Sequence, residues 1–238
     1  MRSANQLAGI APLRRRSLRD TVASRIRSSI VSGDLAPGEE FSAPTLGQQF
    51  GVSATPVREA MLDLVREGLV EVLPNRGFRV TEVSDKVLAD ITSVRLLLEP
   101  PAVASITESI PVADLPVVRA RAEAIVQAAA DRDLTAYLEA DAVFHLGLLG
   151  YTGNDTLIDV VSRLRAQTRQ FGLKALLEAG ELPANAREHI AIAERIDARD
   201  PDGVERLLQI HIRHTIGIWA GHSEPPIDLE KQVEVDEH

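Results

Sequence analysis

Apolar residues recur along this chain mainly at helical spacing. Val22, Ile26 and Ile30 form one stripe after Ser17, and "SGD" at 32–34 reads as its stop. "LAPGEEF" supplies a Pro-Gly turn, and a short helix over 43–50 ends at Gly51. Ser53 is the next N-cap, Pro56 falls in the first turn, and apolar positions 57, 61, 64 and 65 lead to a stop at Gly68. The pattern then changes. "LVEVL" and "GFRVTEV", separated by "PNR", predict a β-hairpin with Gly77 at its tip. After Ser84 the helical period returns, broken by prolines and glycines. It predicts helices over 85–109 (kinked at Pro100–Pro101), 112–130, 133–150, 155–179, 184–198 and 201–220, the last opened by Asp200 as N-cap before Pro201.

These elements predict a mainly α chain, with an N-terminal winged helix-turn-helix joined to an all-α bundle of six helices. The expected division is a flexible basic arm over 1–16, the winged module over 17–82, the helical domain over 84–221 and a disordered acidic tail over 222–238.

Charge sharpens the division. The 238 residues carry a formal net charge of −9, yet the first 80 hold 11 basic against 8 acidic side chains and the remainder 15 against 27. A mildly basic front on an acidic back suggests two modules with different partners. The absence of cysteine excludes disulfides and thiolate metal sites. No apolar run approaches the roughly 18–20 residues that span a bilayer, and no signal peptide is read at the N-terminus. The cytoplasm is the expected compartment.

In a winged helix-turn-helix the second motif helix enters the major groove of duplex DNA, its N-terminal residues facing the base edges. That helix begins here at "SATPVRE". Ser53 and Thr55 offer short hydroxyls, and Arg58 lies one turn further on, suited to guanine O6/N7 or to a phosphate. Arg76 and Gly77 would form the wing.

The helical half carries a different chemistry. Leu134, Leu138, Asp141, His145 and Leu148 share one stripe, so a carboxylate and an imidazole stand where the pattern asks for leucines. His189 shares a stripe with Ala193 and Ile196, and His211 with Val204, Leu208, Thr215 and Ile218. An unpartnered buried carboxylate costs several kcal/mol. A divalent metal would satisfy Asp141, His145, His189 and His211 together, and these nitrogen and oxygen donors suit Zn²⁺ or Ni²⁺, with Mn²⁺ as a harder alternative. A simple buried Asp141–His145 pair is the competing reading, and His214 competes with His211.

"GDLAPGEEF…LGQQFGVSATPVREAMLDLVREGLVEVLPNRGFRV" resembles the DNA-binding domain of the GntR family of bacterial transcription regulators. Ala54 and Pro44 depart from the family pattern, in which both positions often contribute DNA contacts. The rest of the chain resembles the FCD domain, the ligand-binding half of the FadR-like subgroup. "DAVFH", "REHIAI" and "LLQIHIRH" follow the order of its metal ligands, with His211 preferred to His214. In "SVRLLLE", Arg95 lies on the stripe of Leu88, Ile91 and Leu98, and the resemblance implies that it faces a small organic-acid effector; a pair with Glu99 or an inter-domain carboxylate is the competing reading. Asn154 in "TGN" is a further effector candidate or a helix cap.

The resemblance implies a homodimeric, ligand-responsive regulator of operator DNA, a repressor rather than an activator, and not an enzyme. Its alternative is a metal-dependent hydrolase using the Asp/His₃ site. The helix carrying Arg95 starts directly after the wing, which gives effector contact a short route to the DNA-reading module.

Overall fold

Ser17 opens the first helix through a reciprocal cap: its Oγ accepts from the Asp20 N–H at 3.1 Å, and the Asp20 carboxylate accepts from the Ser17 N–H at 3.1 Å. The computed structural model describes residues 17–82, 84–168 and 173–219. The expectations for the arm over 1–16 and the tail over 222–238 fall outside these residues. Helix α1 (Leu18–Val31) turns Val22, Ile26 and Ile30 inward. Strand β1 (Glu40–Phe41) and helix α2 (Ala43–Phe50) follow, with Ser42 capping α2 and Gly51 ending it in the left-handed region. Helix α3 (Ala54–Arg66) buries Val57, Ala60, Met61 and Leu64. Strands β2 (Val70–Leu73) and β3 (Gly77–Val80) complete this half.

The expected two-stranded hairpin is a three-stranded antiparallel sheet in the order β1-β3-β2. β1 is only "EF", too short to show alternation, and its pairing with β3 creates it. The sheet also corrects the place of Gly77. The turn lies at residues 74–76, and Gly77 already pairs with Leu73 across β2 and β3. At φ 124° it lets the Phe41 carbonyl of β1 approach where a Cβ would stand.

The other half is helical: α4 (Asp85–Ile106), α5 (Leu115–Ala130), α6 (Leu134–Leu149), α7 (Asp155–Thr168), α8 (Leu173–Ala179), α9 (Leu182–Asp197) and α10 (Pro201–Trp219). The helix expected over 112–130 opens as a 3₁₀ turn at Val112–Asp114. Within the helix expected over 155–179, α7 and α8 are helical, and residues 169–172 between them fall outside the described residues. α4 runs through Pro100 and Pro101 to Ile106. α4 packs chiefly on α10, and α5 on α6 and α9, while α7 lies across α4 and α6. Phe144, Ile125, Leu182 and Leu208 are core members here, whereas Ile26, Met61 and Phe78 belong to a separate core in the first half. No described helix is long and apolar enough to cross a membrane.

Candidate functional site

The helical period turns four polar side chains into one place. α6 contributes Asp141 and His145, α9 His189 and α10 His211. All four are buried, and one ligand atom from each lies within 4.8 Å of the others. His189 Nε2 stands 3.1 Å from Asp141 Oδ1 and 3.2 Å from His145 Nε2. The His211 ring stacks on that of His145, with centroids 5.1 Å apart, and meets His189 edge-on at 4.4 Å. Phe144 presses edgewise on His145 and His189 from the apolar side.

The outward nitrogens fix how the rings face. His189 Nδ1 lies 3.1 Å from the Ala186 carbonyl and donates to it, which turns the Nε2 lone pair towards the cluster. His211 Nδ1 lies 2.7 Å from Glu188 Oε2, which does the same for His211. Burial lowers the His145 pKa well below its usual value, and lowers those of His189 and His211 to about 4. Three imidazoles are therefore neutral at neutral pH, the form that ligates a metal. With the Asp141 oxygen they form a nitrogen–oxygen donor set that could hold a divalent cation.

A pH dependence follows for metal-free protein. His189 and His211 are neutral when folded but take up protons when unfolded below about pH 6.5. Their contribution to stability is complete above that value and is lost as pH falls towards about 4, where the folded forms also titrate. Urea midpoints measured between pH 4 and 7 should rise with pH, and a flat profile would show that the rings are solvated.

A second layer of charge surrounds the cluster. Glu99 on α4 accepts from Arg95 Nε at 2.5 Å and from Arg165 on α7 at 2.7 Å. Arg165 also donates to Asp141 Oδ2 at 2.7 Å, leaving Asp141 Oδ1 towards the imidazoles. Burial pushes the Glu99 carboxyl up, but Arg165 and Arg95 outweigh it and hold it below the usual carboxylate range. Burial lowers Arg165 to about 9, which leaves it cationic at neutral pH.

Arg165 and Glu188 are absent from the residues picked out by sequence, and Glu99 was visible only as a partner for Arg95. Arg165 lies four residues after the buried Val161, a spacing that could have placed it inward. Glu188 bridges two histidines, because its other oxygen lies 2.9 Å from His214 Nδ1. Of the two histidines on α10, His211 therefore joins the four-residue cluster, and His214 stands behind Glu188. Arg95 is buried and engaged with Glu99. Asn154 is exposed, and its Oδ1 caps α7 by accepting from the Leu157 N–H at 3.0 Å; the structure does not bring it into the cluster.

At the other end of the molecule, Ser53, Thr55 and Arg58 are exposed at the start of α3. The Ser53 hydroxyl does not cap the helix. Arg58 and Arg76 line one cleft of about 450 Å³ together with Pro44, Leu62 and Asn75. Arg76 also pairs with Glu40 of β1 at 2.8 Å. Ala54 packs partly into the first core rather than presenting a charge.

Comparison with known proteins joins these two ends. The family model described as bacterial regulatory proteins, gntR family, matches residues 18–80, and that of the FCD domain matches residues 90–214. The HTH-type transcriptional regulator McbR of Escherichia coli (strain K12) is 29% identical over 216 residues, spanning 89% of this chain and 97% of McbR. A probable D-xylose utilization operon transcriptional repressor of Paenarthrobacter nicotinovorans is 27% identical over 224 residues, covering 92% and 97% of the two chains. The solved structure of E. coli McbR superposes with a TM-score of 0.70 at 28% identity, over 86% of this chain and 98% of that one. A putative GntR regulator from Rhodococcus sp. RHA1 shares the fold, with a TM-score of 0.67 at 20% identity over 87% and 99%. A helix-turn-helix that presents an arginine-lined cleft and a helical half that encloses histidines thus belong to one chain, a member of the GntR family of bacterial transcription regulators that carries an FCD domain.

Proposed function

We propose that this regulator is a ligand-responsive repressor whose helical half, over 84–221, holds a divalent metal and a small carboxylate effector. Its winged module, over 17–82, reads operator DNA. The observation that carries the sensing half is the convergence of Asp141, His145, His189 and His211 within 4.8 Å from three helices. Zn²⁺ and Ni²⁺ suit this donor set best, with Mn²⁺ as the harder alternative. When bound, the ion supplies Lewis-acidic positions that a carboxylate can fill. The protein's own contribution is orientation: Ala186 and Glu188 hold two of the rings, and Phe144 keeps water from one side. An anionic effector entering beside Arg95 competes with Glu99 for the guanidinium, and so exchanges one buried ion pair for another.

Ser53, Thr55 and Arg58 on α3 are assigned to the operator, with Arg76 on the wing. The homodimer is assigned to paired half-sites, as two-fold operators require. The exposed apolar pair Val94 and Leu97 on α4 offers a second copy a face to cover.

Selection from randomised duplex DNA is expected to yield a two-fold symmetric site. On that site Arg58→Ala should weaken binding by about 1–3 kcal/mol and relax the preference at one position in each half. Equal affinity for selected and random duplex would sink the operator assignment. Titrating small mono-, di- and tricarboxylic acids into the metal-loaded complex should release DNA for at least one of them. Unchanged binding across the whole set would count against a carboxylate effector.

A further inference from the structure

The Asp141 carboxylate faces two ways. Oδ1 points at His189, 3.1 Å away, and Oδ2 accepts from Arg165 at 2.7 Å. Arg165 is buried in the last turns of α7, where it also donates to Glu99 at 2.7 Å. Two residues further along the same helix, Gln167 lies against the DNA-reading half: a Cβ built on Gly68 would stand 3.0 Å from Gln167 Cγ. Gly68 follows Glu67, the C-cap of α3, and takes the left-handed conformation (φ 76°) that ends this helix, its N–H bonded to the Val65 carbonyl at 3.0 Å. Between the two halves, a cavity of about 170 Å³ is lined by Arg165, by Val31 and Leu69 from the first half, and by Leu138 and Ala142 of α6. The last turns of α7 can therefore shift without overpacking their neighbours.

We propose that the C-terminal end of α7 is the transmission element between the buried cluster and the DNA-reading helix, with Arg165 as its inner contact and Gln167 as its outer one. This inference rests on the reading of the cluster as the sensing site. A positive charge drawn to Oδ1 takes electron density from Oδ2 and weakens its hold on Arg165. A helical turn moves as a unit, so a shift at Arg165 is carried to Gln167 and hence to Gly68 at the end of α3. Arg165 and Gln167 are positioning residues; neither is required to touch DNA or effector.

Hydrogen exchange of full-length, metal-stripped protein, read by mass spectrometry with and without one equivalent of Ni²⁺, tests the link. Ni²⁺ and the charge-removing variant Asp141→Asn should each change exchange at amides 62–70 by about fivefold or more. Gln167→Ala should abolish both responses and leave Ni²⁺ stoichiometry unchanged, a split that a merely structural role would not produce. Arg165→Lys keeps the charge but loses the two-pronged grip, and it replaces Asp141→Asn if that variant does not fold. The proposal is overturned if amides 62–70 ignore both bound Ni²⁺ and the substitution, or if Gln167→Ala leaves either response intact. A response to substitution without any Ni²⁺ binding would remove the metal reading and leave the α7 link standing.

Discussion

Glu99→Ala is expected to destabilise the helical half by about 3–5 kcal/mol. The side chain is 1% exposed and accepts from two guanidiniums, Arg95 and Arg165, that are themselves almost completely buried. Removing it takes a shared counter-charge from two cations in a low-dielectric interior, although Asp141 still accepts from Arg165. Phe144→Leu, by contrast, removes part of a ring in the same region and leaves no charge behind. Urea unfolding followed by circular dichroism measures the difference. A loss below about 1 kcal/mol for Glu99→Ala would mean that water enters to solvate both arginines, and the closed network described above would be wrong.

The second large effect concerns metal content. Tag-free protein analysed by inductively coupled plasma mass spectrometry is expected to hold close to one divalent ion per chain, and Asp141→Ala and His145→Ala to hold almost none. His214→Ala should keep its ion, because His214 meets Glu188 rather than the cluster. Glu188→Ala should weaken metal affinity by about 10–100-fold, since it releases the orientation of the His211 ring. A wild type that stays empty after soaking with Zn²⁺, Ni²⁺ and Mn²⁺ would turn the four residues into a polar core network held by Arg165 and Glu188. The operator assignment would survive that result.

The geometry of the cluster was legible because it obeys a single helical period. Asp141 and His145 interrupt an apolar stripe four residues apart, and both are buried where that stripe places them. His189 and His211 follow the same rule on α9 and α10. Arg165 escaped because its partners are remote in sequence: Glu99 lies 66 positions away and Asp141 24. On its own helix it reads as an ordinary cation, and only packing against α4 and α6 makes it a buried one. Strand β1 escaped for a related reason. Two residues carry no alternation, and their structure comes from the facing β3 rather than from local preference. Asn154 shows the converse. The sequence allowed both a helix cap and an effector contact, and hydrogen bonding to Leu157 realises the cap at an exposed position.

Among the described residues, the hydrophobic cores of the two halves have no member in common. DNA-binding and FCD halves of this type can therefore be recombined like interchangeable parts, with most core side chains keeping their native neighbours and Leu69, at the cavity between the halves, the exception. What such a chimera must inherit is the seam: Ser28 with Thr135, whose hydroxyls meet at 3.2 Å, and Gly68 with Gln167. A hybrid that brings in a bulkier side chain at position 68 would both strain the left-handed turn that ends α3 and crowd Gln167.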